Sequence, residues 1–125
     1  MKQLIYIGLG GFLGSILRYL VSRLNLSVHF LSIPVGTFLI NILGSLLIGF
    51  IAGVASKSEI IPVNLRLFLM VGICGGFTTF SSFSLENMTL IQNGQYGSAM
   101  IYILSSLIFG LIAVFGGYFL SNIIN

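Results

Sequence analysis

A stretch of glycines, hydroxyl-bearing residues and phenylalanines has the residue types that could interact with an ion. It runs from Gly72 to Ser84 with the sequence GICGGFTTFSSFS, inside an otherwise apolar region. Three of its first five residues are glycine, and Phe80 and Phe83 lie three positions apart, on one face of a helix. We therefore predict a helix that is broken in mid-membrane. Such a break must be buried in protein or line a polar path, because lipid does not tolerate unpaired backbone groups.

Further neutral hydrogen-bond donors occur in two other apolar stretches. Thr37 and Asn41 share a helical face with Gly44, and Tyr102 and Ser106 lie one helical turn apart near the end of the chain. Hydroxyl, phenol and amide groups donate hydrogen bonds, and a phenyl ring has a positive edge. This set suits a small anion that passes without being trapped by a fixed positive charge. Asn41 and its small neighbours could equally serve to pack helices together.

Acid–base, nucleophilic and metal catalysis lack the residues that they need. The acidic residues are Glu59 and Glu86, both expected near loops, and His29 is the single histidine, expected in a loop. Cys74 is the single cysteine, which excludes a disulfide framework and a paired-cysteine metal motif. The chain is therefore predicted not to be an enzyme. Because neither carboxylate is expected in mid-span, a cation path and proton-coupled export are also disfavoured.

The composition places these polar residues in a membrane. The 125 residues are 57% hydrophobic and 6% charged, which gives more apolar surface than so small a globule could bury. The five basic residues are scattered, so a nucleic-acid partner has no support. We predict an all-α membrane protein with a single four-helix domain over residues 1–125. Its spans run from about Leu4 to Val21, from Val35 to Ala55, from Leu65 through a break at Gly72–Gly76 to Phe83, and from Tyr96 to Leu120.

The charges at the ends of these spans give a weak orientation signal. Four spans place Lys2, Lys57 and Arg66 on one side of the membrane and Arg18 and Arg23 on the other. A fixed orientation needs a clear excess of Lys and Arg on one side. The balance fits insertion in both orientations, from which an antiparallel homodimer would follow, with a two-fold axis in the membrane plane.

Three motifs, taken together, closely resemble those of the Fluc fluoride channels, also called CrcB. The resemblance covers essentially the whole chain in order, and its third motif is long and unusual enough to be highly specific. The motifs are Gly10-Gly11-Phe12-Leu13-Gly14 with Arg18-Tyr19, Pro34-Val35-Gly36-Thr37 with Asn41 and Gly44, and the stretch from Gly72 to Ser84.

The resemblance implies an antiparallel, dual-topology homodimer in the inner (plasma) membrane of a microbe. Such a dimer would export fluoride passively through two pores and so protect the cell from fluoride toxicity. Phe80 and Phe83 would turn their ring edges to the ion, and Asn41 would line the pore beside them. The resemblance further implies a polar track at Thr37, Tyr102 and Ser106, a vestibule position for Arg18, and a structural Na⁺ on the dimer axis held by the backbone carbonyls of Gly75 and Thr78.

Two other classes of function remain open at this point. A proton-coupled small multidrug exporter can also be a four-span, dual-topology dimer, but its chemistry needs a carboxylate in the first helix, where this chain has none. In a non-transporting membrane assembly protein, Asn41 and the small residues would serve packing alone.

Overall fold

The computed structural model describes residues 1–26, 29–57 and 59–124, and these ranges are almost entirely helical. Within them, four stretches are long and apolar enough to cross a membrane: Lys2–Asn25, Val35–Lys57, Val63–Gln92 and Tyr96–Ile124. The prediction of four spans is confirmed by these stretches, and the chain is a multi-pass membrane protein. The side chain of His29 lies outside the described part of the structure.

The first span continues into a short connection that contains a small hairpin. Helix α1, Lys2–Ser22, ends in a 3₁₀ turn over Arg23–Leu26, and helix α2 covers Val35–Lys57. Between them, β1 (His29–Phe30) pairs antiparallel with β2 (Ile33–Pro34). The turn residues Leu31 and Ser32 both have positive φ, a conformation that Gly and Asn adopt more readily. The sequence predicts a short connection here and has no Asn-Gly pair that would indicate a hairpin.

The third span is interrupted, but two residues beyond the predicted place. It begins with α3, Val63–Arg66, continues as a π-helical segment over Leu67–Cys74, and reaches α4, Gly75–Phe77. Thr78 and Thr79 are then extended, with ψ values of 157° and 120°, before α5 covers Phe80–Gln92. The expected break at Gly72–Gly76 is therefore wrong in position, since these glycines are helical.

The glycines of the third span are needed for close contact with α1. A Cβ built on Gly72 would lie 2.7 Å from the Cα of Gly10, and one built on Gly76 would lie 2.8 Å from the carbonyl oxygen of Gly11. Real Cβ atoms do not approach backbone so closely. In the sequence, Gly10 and Gly14 form a GxxxG pair, a pattern that predicts close approach of two helices. This prediction is confirmed, because a Cβ on Gly14 would lie 3.0 Å from the backbone nitrogen of Phe77.

The last helix packs mainly against α2. Helix α5 ends at Gln92, and Gly94 follows with a φ of 77°. Backbone bonds from Gly94 and Gln95 to the last turn of α5 close a tight connection to α6, Tyr96–Ile124. Gly117 of α6 lies so close to α2 that a Cβ there would be 2.8 Å from the backbone nitrogen of Phe50. A small buried cluster of Ile33, Leu90, Ala99 and Tyr102 forms where α5, α6 and the hairpin meet.

Candidate ion pathway

The interruption at Thr78 and Thr79 is stabilised by an asparagine of α2. The Nδ2 group of Asn41 donates to the carbonyl oxygen of Thr79 at 3.2 Å, and the backbone N–H of Thr79 donates to Oδ1 of Asn41 at 2.9 Å. The amide oxygen thus replaces the helical acceptor that the N–H of Thr79 has lost, and the amide N–H gives the Thr79 carbonyl a further donor. The predicted face of Thr37, Asn41 and Gly44 is confirmed, because all three face the third span.

Three more side chains satisfy backbone groups around the interruption. The hydroxyl of Thr79 accepts the backbone N–H of Ser82 at 3.2 Å and so caps α5. The hydroxyl of Thr78 donates to the carbonyl of Cys74 at 2.8 Å. From α1, Nε of Arg18 donates to the carbonyl of Gly76 at 2.9 Å. The structure therefore brings Arg18 to the broken backbone itself.

The carbonyls of Gly75 and Thr78 are among those at the interruption that lose the donors of a continuous helix. In an α-helix the carbonyl of Gly75 would accept from the N–H of Thr79, and that of Thr78 from the N–H of Ser82. The first of these N–H groups donates to Asn41 and the second to the Thr79 hydroxyl. Gly75 and Thr78 both line a cavity of about 300 Å³ beside the break. These are hard backbone oxygens, the type of ligand that suits a hard cation.

The predicted phenylalanine pair leads from the surface of the chain to its buried core. Phe80 is 79% exposed, and its ring centroid lies 5.9 Å from that of Phe83. Phe83 in turn meets Tyr102 at 4.9 Å between centroids, with the ring planes at 66°. This is an edge-to-face arrangement, in which the positive edge of one ring points at the face of the other. Phe80, Phe83 and Tyr102 thus form one continuous aromatic row.

The far end of this row reaches a carboxylate that the sequence reasoning placed near a loop. The Tyr102 hydroxyl donates to Oε1 of Glu86 at 2.8 Å, and the Thr37 hydroxyl donates to Oε2 at 2.7 Å. Glu86 lies inside α5, and the loop assignment is wrong because its carboxylate is held by donors of α2 and α6. The i, i+3 spacing from Phe83 was the sequence signal that could have found it.

A third donor to the same carboxylate comes from the 3₁₀ turn after α1. Nδ2 of Asn25 donates to Oε2 of Glu86 at 3.2 Å and to the Thr37 hydroxyl at 3.0 Å. No spacing rule predicts this contact, because Asn25, Thr37 and Glu86 meet only through the folding of three separate elements. For that reason Asn25 was not predicted from the sequence as a site residue.

Glu86 also lines a second cavity, and Ser106 makes no hydrogen bond to Glu86 or to its donors. Glu86 lines a cavity of about 360 Å³ together with Thr89, Asn93 and Gln95 near the end of α5. Among the described residues, the Oγ atom of Ser106 is buried and has no hydrogen-bond partner. Ser106 lies one turn beyond Tyr102 on α6. Its unused hydroxyl is therefore close to the aromatic row.

Comparison with known proteins agrees with this architecture. Residues 5–118 match the family model described as CrcB-like protein, Camphor Resistance (CrcB). A relative from Azobacteroides pseudotrichonymphae is 43% identical over 98% of both chains, and one from Bacteroides fragilis is 44% identical over 98% of both. A relative from Chlorobium chlorochromatii is 44% identical over 92% of this chain and 88% of its own. All three relatives carry the name fluoride-specific ion channel FluC.

The pairing of Asn41 with Thr79 predicts a strong effect of Asn41→Ala on stability. The substitution leaves the part-buried backbone N–H of Thr79 without a partner, which costs about 2 kcal/mol. We expect a lower thermal unfolding midpoint in detergent, measured by loss of the monodisperse peak after heating. Asn122→Ala is the matched control, because Oδ1 of Asn122 has no partner among the described residues. Equal midpoints for the two variants would contradict a bracing role for Asn41.

Proposed function

Since the chain belongs to the CrcB-like family, we propose that it is a fluoride-specific ion channel, through which fluoride leaves the cytoplasm passively. Its role is then to protect the cell from fluoride toxicity. The observation that carries this proposal is the similarity, over nearly the full length, to relatives named as fluoride-specific channels. A passive channel catalyses no reaction, so the protein is not an enzyme.

The proposed ion path follows the aromatic row. Fluoride enters beside the exposed Phe80, passes the ring edges of Phe80 and Phe83, and meets the hydroxyl of Tyr102. Asn41 borders the entrance, and the unengaged hydroxyl of Ser106 offers a further donor beyond Tyr102. Positive ring edges and neutral donors can replace the hydration shell of a small anion in steps.

Glu86 accepts hydrogen bonds from two of the donors along this path, which the sequence alone did not suggest. The hydroxyls of Thr37 and Tyr102 both donate to its carboxylate, so they are engaged when no ion is near. A fluoride ion therefore competes with Glu86 for the same two donors. The competition keeps the anion from binding too tightly, and weak binding is what a conducting pore needs.

A second subunit completes the proposed channel. The exposed ring of Phe80 and the open cavity beside Gly75 and Thr78 both lie on the surface of a single protomer. We propose that an antiparallel copy of the chain covers them, in a dual-topology homodimer with two pores. The carbonyls of Gly75 and Thr78, which lack their helical donors, then hold a structural Na⁺ on the dimer axis. The ion contributes a positive charge that both subunits can share.

The proposed location is the plasma membrane of a microbe, the inner membrane where there are two, because only there would a passive path lower cytoplasmic fluoride. The multidrug-exporter alternative lacks its main requirement, since α1 contains no acidic residue. A pure assembly role leaves the buried, unpartnered hydroxyl of Ser106 unexplained. The channel therefore accounts for more of the structure than either alternative.

Fluoride flux from liposomes tests the proposed function. Purified protein is reconstituted into vesicles loaded with potassium fluoride, and external fluoride is followed with an electrode. We expect rapid efflux that starts only after valinomycin allows K⁺ to leave, because ion movement is electrogenic. Matched vesicles loaded with chloride should show no efflux above that of protein-free vesicles. If fluoride does not leave the vesicles, or if chloride leaves at an equal rate, the proposal is wrong.

The aromatic row predicts that Phe80→Ile combined with Phe83→Ile abolishes fluoride flux. Isoleucine keeps the apolar bulk but removes the ring edges that face the ion. The dimer, checked by light scattering, should stay assembled. Phe115→Ile with Phe119→Ile is the matched control, because these rings are exposed elsewhere on α6. Undiminished flux in the Phe80 and Phe83 variant would remove the rings from the mechanism.

The carbonyls of Gly75 and Thr78, as the proposed ligands, predict that Na⁺ stabilises the dimer. Replacing Na⁺ with N-methylglucamine should lower the thermal unfolding midpoint by about 5 °C and reduce the dimer fraction, because an ion that binds only the assembled state stabilises it. Light scattering and a thermal scan at constant ionic strength give both values. Identical midpoints and dimer fractions in the two salts would remove Na⁺ from the account.

A further inference from the structure

The side chain of Asn25 has all its hydrogen-bonding groups directed at two residues of the ion path. Oδ1 accepts the backbone N–H of Thr37 at 3.2 Å. Nδ2 donates to the hydroxyl of Thr37 at 3.0 Å and to Oε2 of Glu86 at 3.2 Å. An amide nitrogen has two protons, so both are used.

These contacts decide which way the Thr37 hydroxyl points. A hydroxyl has one proton, and its oxygen here already accepts a hydrogen bond from Asn25. The proton is therefore directed away from Asn25 and towards Glu86, where the distance is 2.7 Å. The Thr37 side chain is 98% buried, so water cannot readily substitute for Asn25.

Asn25 also fixes where the hydroxyl stands. Thr37 lies in the first turn of α2, where backbone N–H groups have no helical partner. The bond from this N–H to Oδ1 ties the start of α2 to the 3₁₀ turn that follows α1. The two elements are close there, since a Cβ built on Gly36 would lie 2.6 Å from Oδ1 of Asn25.

We propose that Asn25 is a positioning residue of the ion path, which holds the Thr37 hydroxyl and the Glu86 carboxylate in the arrangement that fluoride must displace. Asn25 acts through these two groups and does not itself bind the ion. The inference rests on the proposed channel function. Asn25 lies in the 3₁₀ turn that follows α1, outside the three sequence motifs that resemble those of the family.

Asn25→Asp separates the positioning role from simple helix capping. Aspartate keeps the oxygen that accepts the Thr37 N–H, so capping is retained. It loses the donor to Thr37 and Glu86 and places a second carboxylate beside the first. We expect fluoride efflux to fall about tenfold or more, the loss that goes with one hydrogen bond to a charged group. Asn25→Ala, which adds no charge, should cause a similar loss. Ser22→Ala should leave efflux unchanged, because within the described part of the chain its hydroxyl bonds only to the carbonyl of Tyr19.

Exchanging the two side chains tests whether the loss acts through Glu86. In Asn25→Asp with Glu86→Gln, one carboxylate and one amide remain, with donor and acceptor exchanged. We expect efflux and the thermal midpoint both to rise above those of Asn25→Asp alone. Wild-type efflux from Asn25→Asp, or an exchange variant no better than Asn25→Asp, would overturn the inference. If the wild type shows no efflux, the proposed channel function itself is refuted. The thermal midpoints of the same variants would still show whether residue 25 pairs with residue 86.

Discussion

Two hydrogen bonds between the Asn41 amide and the backbone of Thr79 make the interrupted third span possible. Extended backbone in the middle of an apolar helix leaves donors and acceptors that lipid cannot satisfy. Asn41 supplies one of each from a single side chain, and Arg18 and the Thr79 hydroxyl satisfy the neighbouring groups. The interruption then leaves the carbonyls of Gly75 and Thr78 without helical donors and starts α5 at Phe80. The candidate cation ligands and the aromatic row both follow from this one local arrangement.

Close helix contacts bring Arg18 within reach of the interruption. Glycines of α1 and of the third span meet backbone to backbone, at Gly10 with Gly72 and at Gly11 with Gly76. Any larger side chain at these contacts would push α1, and with it Arg18, away from the broken backbone. Small residues are the usual means of close packing where lipid provides no hydrophobic drive between helices. The packing of the helices therefore supports the polar contacts on which the proposed path depends.

Sequence patterns predicted the features that depend on helical periodicity. The four spans, the close approach at Gly10 and Gly14, and the shared face of Thr37 and Asn41 follow from apolar runs and from i, i+3 and i+4 spacing. The position of the break did not follow, because a glycine can loosen a backbone or admit a neighbouring helix, and Gly72 does the latter. Glu86 was misplaced because an acid near the end of an apolar run resembles an interfacial residue. Only the folded chain brings Thr37 and Tyr102 to its carboxylate.

The central claim is that an extended break at Thr78 and Thr79, held by Asn41, places the phenylalanine row beside a path for fluoride. An experimental structure of the protein in lipid, determined in the presence of sodium fluoride, tests this claim most directly. The account predicts extended backbone at both threonines, the Asn41 amide paired with Thr79, and ion density at the ring edges of Phe80 and Phe83. A continuous helix through Thr78 and Thr79, or an Asn41 side chain directed away from Thr79, would contradict it.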